Sequence, residues 1–363
     1  MPDGSRLDAP SISLRDLVHG VALTLMVGWI LFLGRGIFVP MVSALLIVYI
    51  VIGVSKLTTA LPWIGPRVPL RVHYFLAAVA IGYALIEMVA VFSANLAAIA
   101  AQAPRFQFAI LALIQDAAAR FGVEGTLTWA TIRRDLLGEI NLQSIARTTL
   151  TSAATMLTGL FFVLLNVAFM MMEQRSFYTK LGRLSNDPTR VARILDVVTD
   201  INARVGRYLA VKTLINVALG VLSYAIMTLA GLEFAVFWAI VIGLLNYIPY
   251  IGSFVGVAFP VALSIVQFGE FDQVVALALA LTAAQVLMGN VIEPQVMGTS
   301  LNLSPYVILV SLTAWSSLWG VAGALFSVPI TAVMVIVFSE FPGSRPIAVL
   351  LSKNGDVAPR GGA

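Results

Sequence analysis

The 363-residue sequence has no cysteine, two histidines and charge on only 11% of its positions. Without thiols it can build neither a disulfide framework nor a thiolate metal site. The histidines, His19 and His73, lie far apart and near the ends of apolar runs. A metal site from them would need carboxylate help, and an interfacial position for both is the simpler expectation. No glycine-rich G-x-x-x-x-G-K loop is present, so the chain carries no signature of ATP-driven pumping. No Ser-His-acid pattern is apparent. Neither an enzymatic activity nor a cofactor is expected.

Cations are missing from a whole region. Residues 213–344 contain no Lys or Arg, yet Glu233, Glu270, Asp272, Glu293 and Glu340 remain. The cost of charge in lipid disfavours either sign, so it does not explain why only carboxylates stay. If this half forms a permeation path, its fixed charge is negative, which suits a cation, a proton or a neutral polar solute. An anion would have to rely on the N-termini of half-helices. The net charge of +4 is uneven too, with seven of the 22 basic residues between Glu173 and Arg207. That clustering suits a membrane-adjacent loop facing phosphate head groups of lipids. Nucleic acid is not expected, since no base-reading or stacking element accompanies the charge.

What the sequence has in abundance is apolar surface: 60% of residues are hydrophobic and the mean hydropathy is +0.95. Soluble domains are about 45–50% apolar and about 25% charged, so the expected fold class is an all-α polytopic membrane protein. Spans of about 20 apolar residues are predicted over 17–33, 37–54, 72–94, 149–172 and 208–230, with a clean sixth over 274–292. The first is an uncleaved helix, not a signal peptide, because more spans follow it. Two further runs, 234–268 and 305–339, are too long for one span and are broken by "NYIPYIG" and around Trp315–Gly320. Each is a pair of spans or a re-entrant helical hairpin, and half-length arms joined by Pro and Gly favour hairpins. That makes about eight hydrophobic segments, six spans plus two broken hairpins.

Lys and Arg placement orients them. Lys56, Arg67 and Arg71 mark one cytoplasmic loop, and Arg175 to Arg207, followed by Lys212, mark another. Both termini then fall inside. Residues 95–148 form an extracytoplasmic polar segment with amphipathic stretches, Ile132, Leu136, Ile140 and Ile145 standing near helical spacing. Residues 185–207 read as a cytoplasmic amphipathic helix capped by Asp187, with Pro188 in its first turn and Ile194, Val198, Ile201 and Val205 on one face. In domain terms, 1–94 holds N-terminal spans, 149–207 a span plus the cytoplasmic helix, 208–340 a hairpin-containing transport core, and 341–363 a disordered cytoplasmic tail.

Candidate site residues follow from the breaks and the carboxylates. Asn246, Pro249 and Gly252 stand at the first hairpin tip, where a broken helix exposes backbone groups; a plain turn is the competing reading. Glu293 follows Asn290 by three positions, on one helical face, with Pro294 and Gln295 directly after it. Either Glu293 exchanges a proton or coordinates a cation, helped by Asn290 and Gln295, or its carboxylate only fixes a connector by accepting backbone N–H groups. Glu87, deep in the third span, is a further candidate. Pro260, Pro294, Gly298, Pro305, Gly320 and Pro329 are candidate hinge or hairpin positions.

Three blocks, "NYIPYIGSFVG", "GNVIEPQVMGTSLNLSP" and "WSSLWGVAGALFSVPI", resemble in order and spacing the autoinducer-2 exporter family of bacterial permeases. The resemblance spans about residues 15–340 and is strongest from 208 onward. It implies efflux of a small signalling molecule across the bacterial inner membrane, with some members resembling sodium/proton antiporters. It also implies a homo-oligomer, a pentamer in described members, and hairpin domains suited to elevator-like movement. The expected function is secondary export of a small polar metabolite such as autoinducer-2, with proton or sodium as a further partner. A monovalent cation/proton antiporter is the alternative.

Overall fold

The computed structural model describes residues 14–59, 68–102, 105, 111–112, 115, 142–297 and 302–355. Helices account for nearly all of them: α1 (Leu14–Leu33), α2 (Arg35–Thr59), α3 (Leu70–Ala101), α4 (Leu142–Leu181), α5 (Pro188–Leu229), α6 (Ala235–Leu245), α7 (Ile251–Phe268), α8 (Phe271–Val286), a π-helical turn (Leu287–Ile292), α9 (Glu293–Met297), α10 (Pro305–Glu340) and α11 (Arg345–Leu351). Among the described residues no strand forms, only a single antiparallel bridge between Leu303 and Ser352. The protein is an all-α polytopic membrane protein. Among the described residues seven helices are long and apolar enough to cross a bilayer, while α6 and the apolar part of α1 are shorter. Large apolar side chains such as Leu25, Phe75, Phe161 and Leu229 are exposed, as expected where lipid tails rather than water are the solvent. The expected segment 95–148 lies largely outside the described residues, including Ile132, Leu136 and Ile140, and so does Gly298.

Both overlong apolar runs fold back as helical hairpins. In the first, α6 and α7 are the arms and Asn246–Tyr250 the tip. Gln267 at the far end of α7 closes the base, donating to the Gly231 carbonyl (2.8 Å) and accepting from the Glu233 amide (2.8 Å). Entry and exit are therefore on one side. The eleven residues of α6 reach about 16 Å, roughly half the ~30 Å hydrocarbon thickness. In the second, α10 is broken at Gly320 (φ 61°, ψ −138°). Its base is closed by Ser304 donating to Leu351 and Lys353 donating to Asn302.

Close approach of the arms at each tip requires glycine. A Cβ on Gly252 would stand 1.8 Å from the Leu245 carbonyl oxygen, and one on Gly323 would stand 1.8 Å from that of Trp315. The hairpins also run in opposite directions along α5. The first has its base just beyond Leu229, whereas the second packs its base, through Leu303, Val328, Ala332 and Val335, on Val205, Tyr208 and Leu209 near the middle of α5. They meet where Ile248 of the first tip packs against Leu312 and Ala324 of the second hairpin. A long helix followed by a re-entrant hairpin thus occurs twice in opposite senses, the geometry of an inverted repeat.

Three local expectations are corrected. The cytoplasmic helix and the fifth span are one 42-residue helix, α5. Asp187 caps it through the Thr189 amide (2.9 Å), and Gly206, where the two expected segments join, is too cheap a defect to break it. The sixth span is not clean, because α8 passes into the π-helical turn before α9. The tail is ordered over Arg345–Leu351: Pro346 suits the first turn, and Ala348 is fully buried against the base of the second hairpin.

Candidate functional site

The face that α5 turns inward carries Tyr208, Lys212 and Asn216 at four-residue spacing, followed by Leu219, Ser223 and Met227. Burying a lysine in an apolar bundle is tolerable only with a hydrogen-bonded counter-charge. Glu293 supplies it: Lys212 Nζ donates to both carboxylate oxygens, each at 2.7 Å. Side-chain exposure is 7% for Lys212 and 23% for Glu293. The carboxylate is presented by the π-helical turn. Pro294 has no N–H to give the Asn290 carbonyl, so an α-helical ladder cannot continue there. The Glu293 amide instead reaches back five residues to the Met288 carbonyl, and the wider turn re-aims the side chains.

One turn further along α5, the tip of the first hairpin docks through two polar contacts. Thr213 Oγ1 donates to the Leu209 carbonyl (2.6 Å) and lies 2.7 Å from the Tyr247 hydroxyl. The threonine's one proton is committed to Leu209, so Tyr247 is the donor of the second bond. Asn246 Nδ2 donates to Asn216 Oδ1 (2.8 Å), with both side chains buried. Backbone packing is close here: a Cβ on Gly243 would stand 3.1 Å from the Asn216 carbonyl. Nearby on α8, Gln285 is buried, and neither its Nε2 nor its Oε1 has a partner.

The result is a polar seam inside the membrane domain, at the junction of α5, the first hairpin tip and the π-helical turn. It combines a neutralised ion pair, two hydroxyls and three carboxamides. Such a seam can exchange hydrogen bonds with a polar solute, and its helix break and π-helical turn are sites where backbone can move. Among the described residues, no group of three or more His, Asp or Glu is placed to hold a metal ion.

Comparison with known proteins agrees with this architecture. The family model described as AI-2E family transporter matches residues 21–343. The chain belongs to the AI-2E transporter family. Among its relatives, the AI-2 transport protein TqsA of Escherichia coli is 32% identical over 203 residues, 56% of this chain and 58% of that one. A protein of Borreliella burgdorferi carrying the provisional name of a transport protein is 29% identical over 255 residues, 69% of this chain and 68% of that one. A similarly named protein of Haemophilus influenzae is 30% identical, covering 66% of this chain and 67% of that one.

Within this AI-2E family chain the expected site residues fall into two sets. Asn246 and Glu293 come together around α5, with Pro249 in the same tip and Gly252 directly behind it. Asn290 and Gln295 do not join them. Both are exposed, because the π-helical turn breaks the three-residue phase that would have aligned Asn290 with Glu293. Glu87 is also elsewhere, exposed on α3 and hydrogen-bonded to Tyr83 one turn earlier. Of the hinge positions, Gly320 is the break in α10, Pro294 follows the π-helical turn, Pro305 opens α10, and Pro260 and Pro329 are buried inside α7 and α10. His73 is buried near the start of α3, with its Nδ1 3.1 Å from Thr58 Oγ1.

The expectation of negative fixed charge is corrected. Two of the carboxylates in the cation-free region are met by cations from outside it, Glu293 by Lys212 and Glu233 by Arg105 at 2.9 Å. Glu293 accepts from an ammonium, not from backbone amides. The sequence reading missed Lys212, which it grouped with the cytoplasmic cluster, and also Thr213, Asn216, Tyr247 and Gln285. A signal for two of them existed: a lysine and an asparagine four residues apart inside an apolar run share one helical face.

Proposed function

We propose that the chain is a secondary exporter of a small polar metabolite across the bacterial inner membrane, with autoinducer-2, the cargo in the name of its relative TqsA, as the first solute to test. The observation that carries this reading is the polar seam at the first hairpin tip, buried in an otherwise apolar bundle where two oppositely inserted hairpins meet. Intramembrane polar groups are costly and are kept where they serve a path or a solute. Movement of the two helix-plus-hairpin units against α1–α4 would expose the seam to either side in turn, an elevator-like cycle. Both termini are cytoplasmic in this reading, and the working unit is a homo-oligomer, with the pentamer of the resemblance as the first stoichiometry to test. Lys212 on Glu293 speaks against a bare carboxylate site for sodium, since the cation's place is already filled by an ammonium.

The test is efflux from proteoliposomes loaded with autoinducer-2. The unaltered chain should release it faster than protein-free vesicles, and Asn246→Leu should slow that release. Equal release with and without protein would sink the proposal.

A further inference from the structure

At the base of the first hairpin, away from the polar seam, α3, α5 and the start of α6 border an open cleft of about 590 Å³. Val91 and Asn95 form one wall, Tyr224 and Thr228 another, and Glu233 and Phe234 lie at the turn into α6. Among the described residues that line it, Glu233 alone is charged. Its Oε1 accepts from Arg105 Nη1 at 2.9 Å, which uses one of the roughly four acceptor positions a carboxylate has. The pair stands in the open, with side-chain exposures of 59% for Arg105 and 33% for Glu233, and such pairs hold weakly. Phe234 has left-handed backbone there (φ 58°), a costly conformation for a bulky residue and one that gathers at binding sites. The cleft also continues into lipid-facing surface. Val217, Val221 and Tyr224 are exposed on α5 and, with Thr228, recur at helical spacing along one face. From Val217 to Thr228 that stripe climbs about 16 Å, the depth of one leaflet.

We propose that this cleft seats the headgroup of a phosphatidylethanolamine, with an acyl chain along the α5 stripe. The ligand is a zwitterion because the site offers both signs. A primary ammonium brings three N–H donors to the open positions of the Glu233 carboxylate. The phosphate, at the other end of a short linker, meets the Arg105 guanidinium, whose planar fork suits it. The headgroup then bridges the pair at little cost, since the contact it loosens is weak. A choline headgroup has no N–H to donate, and a glycerol headgroup carries no cation for Glu233. A lipid rather than a free headgroup is the occupant, because the stripe leads from the cleft into the bilayer and acyl chains there hold the headgroup at the charged pair.

The test is a lipid titration of the full chain, purified in detergent and stripped of bound lipid, read as the rise in unfolding midpoint. Phosphatidylethanolamine and phosphatidylcholine with identical acyl chains are compared, with phosphatidylglycerol and soluble phosphoethanolamine as further arms. The half-maximal rise should need about tenfold less phosphatidylethanolamine than phosphatidylcholine, the worth of one hydrogen bond to a charged group. Glu233→Gln should abolish that preference. Whatever the lost ion pair does to the starting midpoint, each protein is compared with itself across lipids. Glu270→Gln, which removes the carboxylate just before α8 at the same end of the bundle, should keep the preference. Equal half-points for the two lipids, or a phosphatidylglycerol effect as strong as that of phosphatidylethanolamine, would overturn the proposal. So would a preference that survives Glu233→Gln, or one lost equally in Glu270→Gln. An equal effect of soluble phosphoethanolamine would overturn the assignment to a lipid. None of these readings needs flux, so the site stands or falls apart from the export reading.

Discussion

Lys212 and Glu293, 81 residues apart in sequence, form a two-pronged ion pair with both N–O distances at 2.7 Å. It ties the middle of α5 to the end of the π-helical turn, and so joins the two helix-plus-hairpin units. Removing one partner strands a desolvated charge, which costs about 3–5 kcal/mol when burial is complete. Glu293 keeps 23% side-chain exposure, so Lys212→Met or Glu293→Met should fall at the lower end, about 3 kcal/mol. The double variant Lys212→Met/Glu293→Met should recover most of that loss. Thermal unfolding of the four proteins in one detergent measures the cycle, and strictly additive losses would show that the pair does not couple.

The two tip glycines make a second expectation. Alanine at Gly252 or Gly323 must push its Cβ away from a carbonyl oxygen 1.8 Å distant, which means opening the hairpin. Overpacking of this kind costs about 1–3 kcal/mol or more. Gly159 in α4 has nothing within 4 Å of its Cβ position, and Gly159→Ala should stabilise by roughly 0.5–1 kcal/mol. Unfolding midpoints that move in the same direction for all three variants would contradict the close-approach explanation.

These features differ in how far the sequence discloses them. The "NYIPYIG" break was legible because Pro and Gly punctuate an apolar run locally, and a run of 35 apolar residues cannot be one span. Asn246 was legible for the same reason, as a polar residue at that break. Its partner Asn216 lies mid-helix with nothing local to mark it, and the Lys212–Glu293 pair exists only once α5 and the π-helical turn are packed together. The π-helical turn left one trace, Pro294, which signals a break without saying which kind. The short helix α11 was missed because its stability comes from burying Ala348 against Leu303 and Val335, not from its own seven residues.

Outside the membrane, the cap of α5 should titrate. The Thr189 hydroxyl, and then its amide, donate to Asp187 and hold that carboxyl below its ordinary 3.8. A depressed carboxylate contributes stability that is complete above its unfolded value and is lost as pH falls through the folded one. The first turn of α5 should therefore stay protected down to about pH 4 and fray below that. Amide exchange at Val191, corrected for intrinsic rates, should show the loss in the parent. Asp187→Asn, an equally good cap that does not titrate, should give a flat profile. Identical pH profiles for parent and Asn variant would assign the fraying to another group.

The Asn246–Asn216 bond separates a structural role from a transport role at the hairpin tip. Asn246→Ala leaves the Asn216 amide oxygen buried without its donor, at a cost of about 1–3 kcal/mol. Replacing both residues by leucine removes the unpaired atoms, and paired apolar replacement is close to neutral in stability. If the bond only docks the tip, the double leucine variant should regain both melting temperature and autoinducer-2 efflux. The expectation here is that it regains the first and not the second, with efflux at least about tenfold below the parent, the equivalent of roughly 1.4 kcal/mol in the barrier. Efflux that returned together with stability would reduce Asn246 to a packing residue.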